Sequence, residues 1–171
     1  MPIKPIVKMV DLGYTGASDF WTKNVLPAYK RYQEARDSPT ALDVSIHLWH
    51  LREWVWHDPN CGQQRKQGIN AEAFYANLRN DCLALGWLRD IANAGKHRLL
   101  NKPTKVQRAF QAPNIVTFGG DPLTFNGEPV SFGNTLEIEL DDGTRQSVCD
   151  AIFSVVKFWI DEFGFDPPPI P

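Results

Sequence analysis

The chain has 171 residues, which is enough for one domain with a hydrophobic core and too few for two domains of ordinary size. Its hydrophobic content of 43%, with six tryptophans, excludes a disordered chain, and its net charge of −2 excludes a general attraction to nucleic acid or anionic membranes. The charge is uneven, because residues 1–108 carry a balance of +6 and residues 109–171 a balance of −8.

The cysteines and the hydropathy pattern point to the compartment. Cys61, Cys82 and Cys149 are widely spaced and form no Cys-x-x-Cys pair. The N-terminus lacks the apolar core of a signal peptide, and no apolar run reaches the roughly 18 residues needed to cross a bilayer. We therefore expect a soluble cytoplasmic protein without a disulfide framework or membrane contacts. Phosphate-binding glycine loops and zinc spacings are absent, so we expect no cofactor.

The first predicted helix follows a polar N-terminal segment. Ser18 is a suitable N-cap, and apolar residues recur at helical spacing from there to about Arg36. Pro27 lies inside this segment, and proline lacks the N–H that a helix interior needs and clashes with the carbonyl four residues before it. We therefore expect Pro27 to kink the helix or to separate its first turn.

The second predicted helix has the clearest N-terminal signal in the chain. Ser38 is the expected N-cap, and Pro39 takes the first helical position, where its missing N–H would have no partner anyway. The helix should run to His57 and end at Asp58-Pro59. Apolar residues cover most of its circumference, which is typical of a helix at the centre of a bundle.

The third helical region should begin at an N-cap, Asn70, and break near Asn80-Asp81. Asp81 then starts a second segment that extends to about Leu100, before a proline. One side of this segment carries an apolar stripe that should be buried: Ala84, Trp87, Leu88, Ile91, Ala92 and Gly95. The opposite side, about 120° wide, should display a group of polar residues: Arg89, Asp90, Asn93, Lys96 and His97.

The pattern changes at Pro113. Four short β-like runs follow: Ile115–Phe118, Leu123–Phe125, Val130–Phe132 and Thr135–Leu140. Asn126-Gly127 between two of them is a strong hairpin signal, so we expect a small antiparallel insertion over about 114–141. A strongly amphipathic last helix should run from about Gln146 to Phe163 and end at Gly164, before an extended Pro-rich tail over 166–171.

These elements predict a single, mainly α domain over residues 1–171. Four main helices should form a bundle, with the small antiparallel β-hairpin or sheet inserted before the last helix. No internal repeat is present.

The polar face of the third helical region is a candidate site. Arg89, Asn93 and His97 recur at four-residue spacing, so a proton-exchanging imidazole would lie near groups that bind phosphate or orient it. No acid interrupts the run of cations that follows, which could form a surface for phosphate or RNA: Lys96, Arg98, Lys102, Lys105 and Arg108. The alternative interpretation is an ordinary solvated helix face and loop.

A second candidate lies on the second helix. Asp43, His47 and His50 fall within about 60° of arc, and two histidines with one carboxylate can bind a metal ion from one face. The spacing matches no specific metal signature. Histidines flanked by tryptophans on a buried helix are also typical of core residues bonded to a neighbouring helix.

A third observation concerns two Arg–His spacings. Arg52-Glu53-Trp54-Val55-Trp56-His57 resembles the Arg-x4-6-His motif of the HEPN superfamily, with Glu53 where that family usually has Asn, Asp or His. Arg89-Asp90 supplies the polar second residue, but His97 lies eight positions after Arg89. The resemblance implies a compact helical bundle, often dimeric, and in many members a metal-independent RNase. Arg and His would then polarise the scissile phosphate and assist attack by the 2′-hydroxyl.

Three functional hypotheses follow. The first is a HEPN-like domain that binds RNA or a nucleotide and cleaves it with Arg89, Asn93 and His97 or with Arg52 and His57. The second is a non-enzymatic interaction module whose aromatic helices pair with another protein or a second copy. The third is a metal-dependent enzyme that uses the histidines of the second helix.

Overall fold

A computed structural model of the chain describes residues 13–96, 105–115, 117–118, 120–126, 128–129 and 131–169. The helical elements are α1 (Ala17–Phe20), a π-helical turn (Trp21–Val25), α2 (Leu26–Ala35), α3 (Ser38–His57), α4 (Gln63–Lys66), α5 (Ala71–Asp81), α6 (Leu83–Lys96) and α7 (Val148–Phe163). The strands are β1 (Val106–Ile115), β2 (Thr117–Phe118), β3 (Asp121–Pro122), β4 (Thr124–Phe125), β5 (Glu128–Pro129), β6 (Ser131–Leu140) and β7 (Arg145–Ser147). The prediction of a mainly helical chain with a small antiparallel sheet is confirmed.

Pro27 interrupts the first helical segment as its chemistry predicts. A proline at this position leaves the carbonyl four residues earlier without its normal donor and crowds it with the ring. The backbone responds by widening into the π-helical turn Trp21–Val25, which joins α1 to α2. The change in helix type is therefore confined to the turn that precedes the proline.

The start of α1 differs from the prediction. The helix begins at Ala17 with Gly16 at the N-cap, so Ser18 lies inside the first turn and caps nothing. The backbone N–H of Ala17 instead donates to Oδ2 of Asp58, at 2.8 Å, from the end of α3. Because a residue 41 positions away satisfies this helix end, no local capping residue is needed.

Helix α3 is central, as predicted, and ends at His57. Its N-cap is Asp37 rather than Ser38, because the Asp37 carboxylate accepts the N–H of Thr40 at 2.9 Å and its hydroxyl at 2.6 Å. Ser38 and Pro39 therefore occupy the first two helical positions. Four residues of α3 are completely buried along its length: Val44, Leu48, Leu51 and Val55.

The break in the third helical region falls at Cys82 rather than at Asp81. Asn70 caps α5 as predicted, accepting the N–H of Ala73 at 2.9 Å. Asp81 is the last residue of α5, and its carboxylate pairs with Arg65 at 2.7 Å instead of starting a helix. Cys82 has an extended backbone, and α6 begins after it. The predicted end near Leu100 lies outside the described residues.

Asp90 corrects the prediction that α6 displays its whole polar face. Only 2% of this residue is exposed. Its Oδ2 accepts the backbone N–H groups of Lys105, at 2.6 Å, and Val106, at 3.2 Å, and its Oδ1 accepts Nε of Arg89 at 2.8 Å. Helical periodicity could not predict this burial, because it depends on where the distant strand β1 begins.

The three-stranded sheet has the order β1-β6-β7 and is antiparallel throughout. Val106 pairs with Leu140 and Ile115 with Ser131, so β1 starts well before the predicted boundary near residue 114. The β1 sequence lacks strict alternation, and its strand conformation follows from pairing with β6, where Ile138 and Leu140 point into the core. Two-residue ladders, β2–β3 and β4–β5, follow β1.

Helix α7 closes the core. It starts at Val148 rather than near Gln146, because Gln146 pairs with Ile138 in the sheet and Ser147 caps the helix. Gly164 ends it in the left-handed conformation at φ +70°, as predicted. The side chains buried along α7 are Val148, Ala151, Ile152, Val155, Val156 and Trp159.

The segment after α7 is pinned to the first helical segment. Phe165 is buried and stacks on Trp21, with ring centroids 5.0 Å apart, and Nε1 of Trp21 donates to the carbonyl of Asp166 at 2.9 Å. None of the helices in the described part of the chain is long and apolar enough to span a membrane.

Candidate functional site

The Arg52 side chain is held in a fixed position on α3. It is 11% exposed, and its guanidinium lies 3.5 Å from the ring centre of Trp49 and 4.9 Å from that of Tyr75 on α5. Nη1 donates to the carbonyl of Trp49 at 2.6 Å, and Nη2 donates to Oε1 of Glu53 at 2.8 Å. Stacking between two aromatic rings and an ion pair together fix the plane of this guanidinium.

Two further arginines lie close to Arg52. Helices α3, α5 and α6 pack against one another, and they contribute Arg52, Arg79 and Arg89, which we call the guanidinium cluster. Burial lowers the pKa of Arg52 to about 10, with the charges of Arg79 and Arg89 adding to the effect. Burial also lowers the pKa of Arg79, again with a contribution from Arg89. The three cations are near enough to repel one another.

Two carboxylates accompany the guanidinium cluster. Asp90 is buried and has both oxygens engaged, by Arg89 and by the backbone N–H groups of β1. Glu53 is 47% exposed and pairs with Arg52. Nε of Arg52 is buried without a hydrogen-bond partner among the residues that the structure describes. Three cations against these two carboxylates leave a local positive charge.

A cavity of about 430 Å³ lies at the C-terminal end of α3. We call it the His57 cavity, and its lining residues are Tyr14, Thr15, Gly16, Glu53, Trp54, His57, Asp58 and Pro59. Trp54 stacks on Phe20 at 5.0 Å between centroids, and Tyr14 meets the Trp54 ring edge-on at 5.3 Å. One wall is therefore aromatic, and titratable side chains lie beside it.

Glu53 connects the two ends of the Arg52–His57 motif. Its carboxylate is paired with Arg52, and the same residue lines the cavity together with His57. Asp58 also lines the cavity, but its oxygens accept the N–H groups of Ala17 and Asn60, each at 2.8 Å. Asp58 therefore shapes the cavity by holding α1, whereas Glu53 and His57 extend toward solvent.

The second predicted group of residues is only partly placed. Asn93 is half-buried on α6, one turn after Arg89, and Lys96 is the last described residue of that helix. His97, Arg98 and Lys102 lie outside the described residues. Two cations of the predicted basic run pair with acidic residues. Lys105 contacts Asp141 and Arg108 contacts Glu139, both at 2.7 Å.

The metal candidates on α3 form a pair with a cation beside it. Nε2 of His47 lies 3.3 Å from Asp43, whose other oxygen contacts Arg31 at 2.6 Å. Burial lowers the pKa of His47, although the Asp43 charge opposes this effect. His50 is half-buried on the same helix. Within the described ranges, no three His, Cys, Asp or Glu side chains come together so that they could hold a metal ion.

Sequence reasoning did not single out Arg79, Tyr75 or Tyr14. Tyr75 and Arg79 are four residues apart on α5, so an aromatic ring and a cation share one helix face. That pairing is a weak signal from sequence. Its meaning depends on α5 bringing this face against Arg52, which is a tertiary contact.

A scan against protein-family models, a search of curated proteins and a search of solved structures each find no match to this chain. The resemblance to the HEPN superfamily therefore rests on the residues of the motif themselves.

Proposed function

We propose that the protein binds single-stranded RNA, or a nucleotide, across the guanidinium cluster and the His57 cavity, in line with its resemblance to the HEPN superfamily. The observation that carries this proposal is the convergence of Arg52, Arg79 and Arg89 from three helices beside an aromatic-walled cavity. Of the two Arg–His spacings in the sequence, the geometry favours the one over 52–57 as the site.

The guanidinium cluster suits a phosphate group. Guanidinium groups bind phosphate oxygens in a bidentate manner, and bound negative charge would relieve the repulsion among the three cations. The Arg89 side chain is 26% exposed and Arg79 is half-buried, so both can reach a ligand at the surface. Arg52 contributes its charge from beneath.

The His57 cavity suits an unstacked base. Trp54 and Tyr14 offer an aromatic wall of the kind on which bases of single-stranded nucleic acid stack, and the cavity volume lies in the range of ordinary ligand sites. A base inside a duplex could not enter. The ligand class is therefore a single strand or a free nucleotide.

Fluorescence anisotropy with a 5′-labelled single-stranded RNA tests the proposal. We expect Arg79→Gln to weaken binding about tenfold, since a hydrogen bond to a charged group contributes about 1.5–3 kcal/mol. Lys30→Gln is the charge-matched control, because Lys30 is exposed on α2. Binding should weaken with salt, and the slope should be smaller in Arg79→Gln by about 0.7. Equal binding by the two variants, or none by the wild type, would refute the proposal.

A second candidate function, association of two copies, is favoured by the β1–β6 hairpin. Most side chains of β1 are exposed, and β1 is an edge strand of the three-stranded sheet. Ile115 is 40% exposed and Leu123 48%. Two identical edges can pair antiparallel about a two-fold axis. Light scattering across a concentration series should show a dimer that Ile115→Ser weakens, and a monomer at every concentration would exclude this candidate.

A further inference from the structure

The His57 cavity contains a carboxylate and an imidazole one helical turn apart. We propose that Glu53 and His57 act as general base and general acid in cleaving the RNA strand, with Arg52 as the positioning residue for Glu53. This inference rests on the proposed RNA-binding function and adds the chemistry of the same site.

The spacing of the two residues on α3 supports this pairing. Residues four apart on a helix are neighbours, with Cβ atoms about 5–6 Å apart, so both side chains can approach one phosphodiester. Glu53 and His57 line the same cavity. His57 is exposed at the C-terminal end of α3, where the helix dipole favours a cationic imidazolium, the form that a general acid needs.

The surroundings of Glu53 fit the role of the base. The side chain is 47% exposed, so its carboxylate can reach a substrate hydroxyl. Arg52 donates to Oε1 at 2.8 Å and is itself fixed by Trp49 and Tyr75. The other cavity carboxylate, Asp58, is engaged by the backbone of Ala17 and Asn60. The motif position that usually carries Asn, Asp or His thus has, in this chain, a carboxylate that reaches the cavity.

The chemical step is a transphosphorylation that balances without a metal or an oxidant. Glu53 accepts the proton of a ribose 2′-hydroxyl, and O2′ forms a bond to the adjacent phosphorus. The bond between phosphorus and O5′ breaks, and His57 donates its proton to O5′. The products are a strand that ends in a 2′,3′-cyclic phosphate and a strand that begins with a 5′-hydroxyl. Arg79 and Arg89 stabilise the charge on the non-bridging oxygens.

Cleavage of an oligonucleotide with a single ribonucleotide in a 2′-deoxy strand, in the presence of EDTA, tests the inference. We expect a 2′,3′-cyclic phosphate at that position, identified by mass spectrometry, and no cleavage of the fully 2′-deoxy strand. Glu53→Gln and His57→Ala should each slow cleavage by about 10²-fold or more. Glu34→Gln is the matched control, since Glu34 is exposed on α2 and should cleave at the wild-type rate.

Anisotropy on the same variants separates the two levels of the argument. If the wild type binds RNA but leaves it intact, or if Glu53→Gln cleaves normally, the acid–base pair is refuted and the binding proposal stands. If the wild type binds no RNA, the proposed function itself fails. Arg52→Lys should recover part of the kcat that Arg52→Gln loses, whereas a purely structural Arg52 would change the melting temperature and leave kcat per folded molecule unaltered. Should Glu53→Gln fold poorly, Glu53→Asp gives the same test with the charge retained.

Discussion

Replacing Asp90 by Ala should be among the most destabilising single changes at a polar position. The carboxylate accepts three hydrogen bonds, from Arg89 and from the backbone N–H groups of Lys105 and Val106, and it is 2% exposed. A hydrogen bond to a charged group contributes about 1.5–3 kcal/mol, but Lys105 is exposed, so water can replace part of the loss there. We therefore expect a loss of about 3 kcal/mol in the free energy of unfolding.

Urea unfolding followed by tryptophan fluorescence measures this loss, with Asp121→Ala as a control on an exposed strand residue. A loss of about 3 kcal/mol corresponds to a fall of roughly 6–12 °C in melting temperature for a domain of this size. The cause is specific, because Asp90 joins α6 to the start of β1. A loss below about 1 kcal/mol would show that water fully replaces these hydrogen bonds, and the anchoring role of Asp90 would be wrong.

Two other changes give contrasting outcomes. Gly62→Ala should cost about 1–3 kcal/mol beyond Gly68→Ala, because both glycines have positive φ but a Cβ at Gly62 would lie 2.8 Å from Phe163, whereas nothing lies within 4 Å at Gly68. Equal melting temperatures for the two variants would contradict this difference. For His47, burial lowers the pKa below its ordinary value of 6.5, so the unfolded chain binds the proton more readily. The stability from the neutral imidazole is present above the unfolded pKa and lost as the pH falls through the folded one. Melting curves from pH 7.5 to 5 should therefore fall less steeply for His47→Gln than for the wild type.

The features that the sequence predicted correctly are those set by local chemistry. Asn70 caps α5 through a hydrogen bond to a residue three positions ahead, and Gly164 ends α7 because glycine tolerates positive φ. The end of α3 before Pro59 is local in the same sense. Each of these depends on fewer than about four neighbouring residues, so a window of sequence contains the necessary information.

The errors arise where a distant residue satisfies a local need. Ser18 was expected to cap the first helix, but Asp58 takes that role across 41 positions. Asp90 was expected at the surface, but β1 covers it. The guanidinium cluster was missed for the same reason, since Arg79 joins Arg52 only through the packing of α5 against α3. Long-range contacts of this kind leave no periodicity in the sequence.

Helical geometry explains why the residue after the arginine matters in the Arg52–His57 motif. At about 100° per residue, Arg52 and His57 lie about 140° apart around the axis of α3, so they do not share a face. Glu53 is one turn before His57 and next to Arg52, and its carboxylate reaches the guanidinium while the residue lines the cavity of the imidazole. A polar second residue is therefore what joins the ends of the motif on a straight helix.

The same reasoning separates the second Arg–His spacing from the first. In Arg89-Asp90 the polar second residue is buried, and its oxygens are already bound by Arg89 and by β1. Asp90 cannot turn toward a substrate without releasing the strand that it anchors. The carboxylate in this position is therefore committed to the fold, whereas Glu53, at 47% exposure, can reach a ligand. We accordingly expect Asp90→Asn to lower stability, and Glu53→Gln to lower activity at nearly unchanged stability, which thermal melts and cleavage assays on the same two variants can establish.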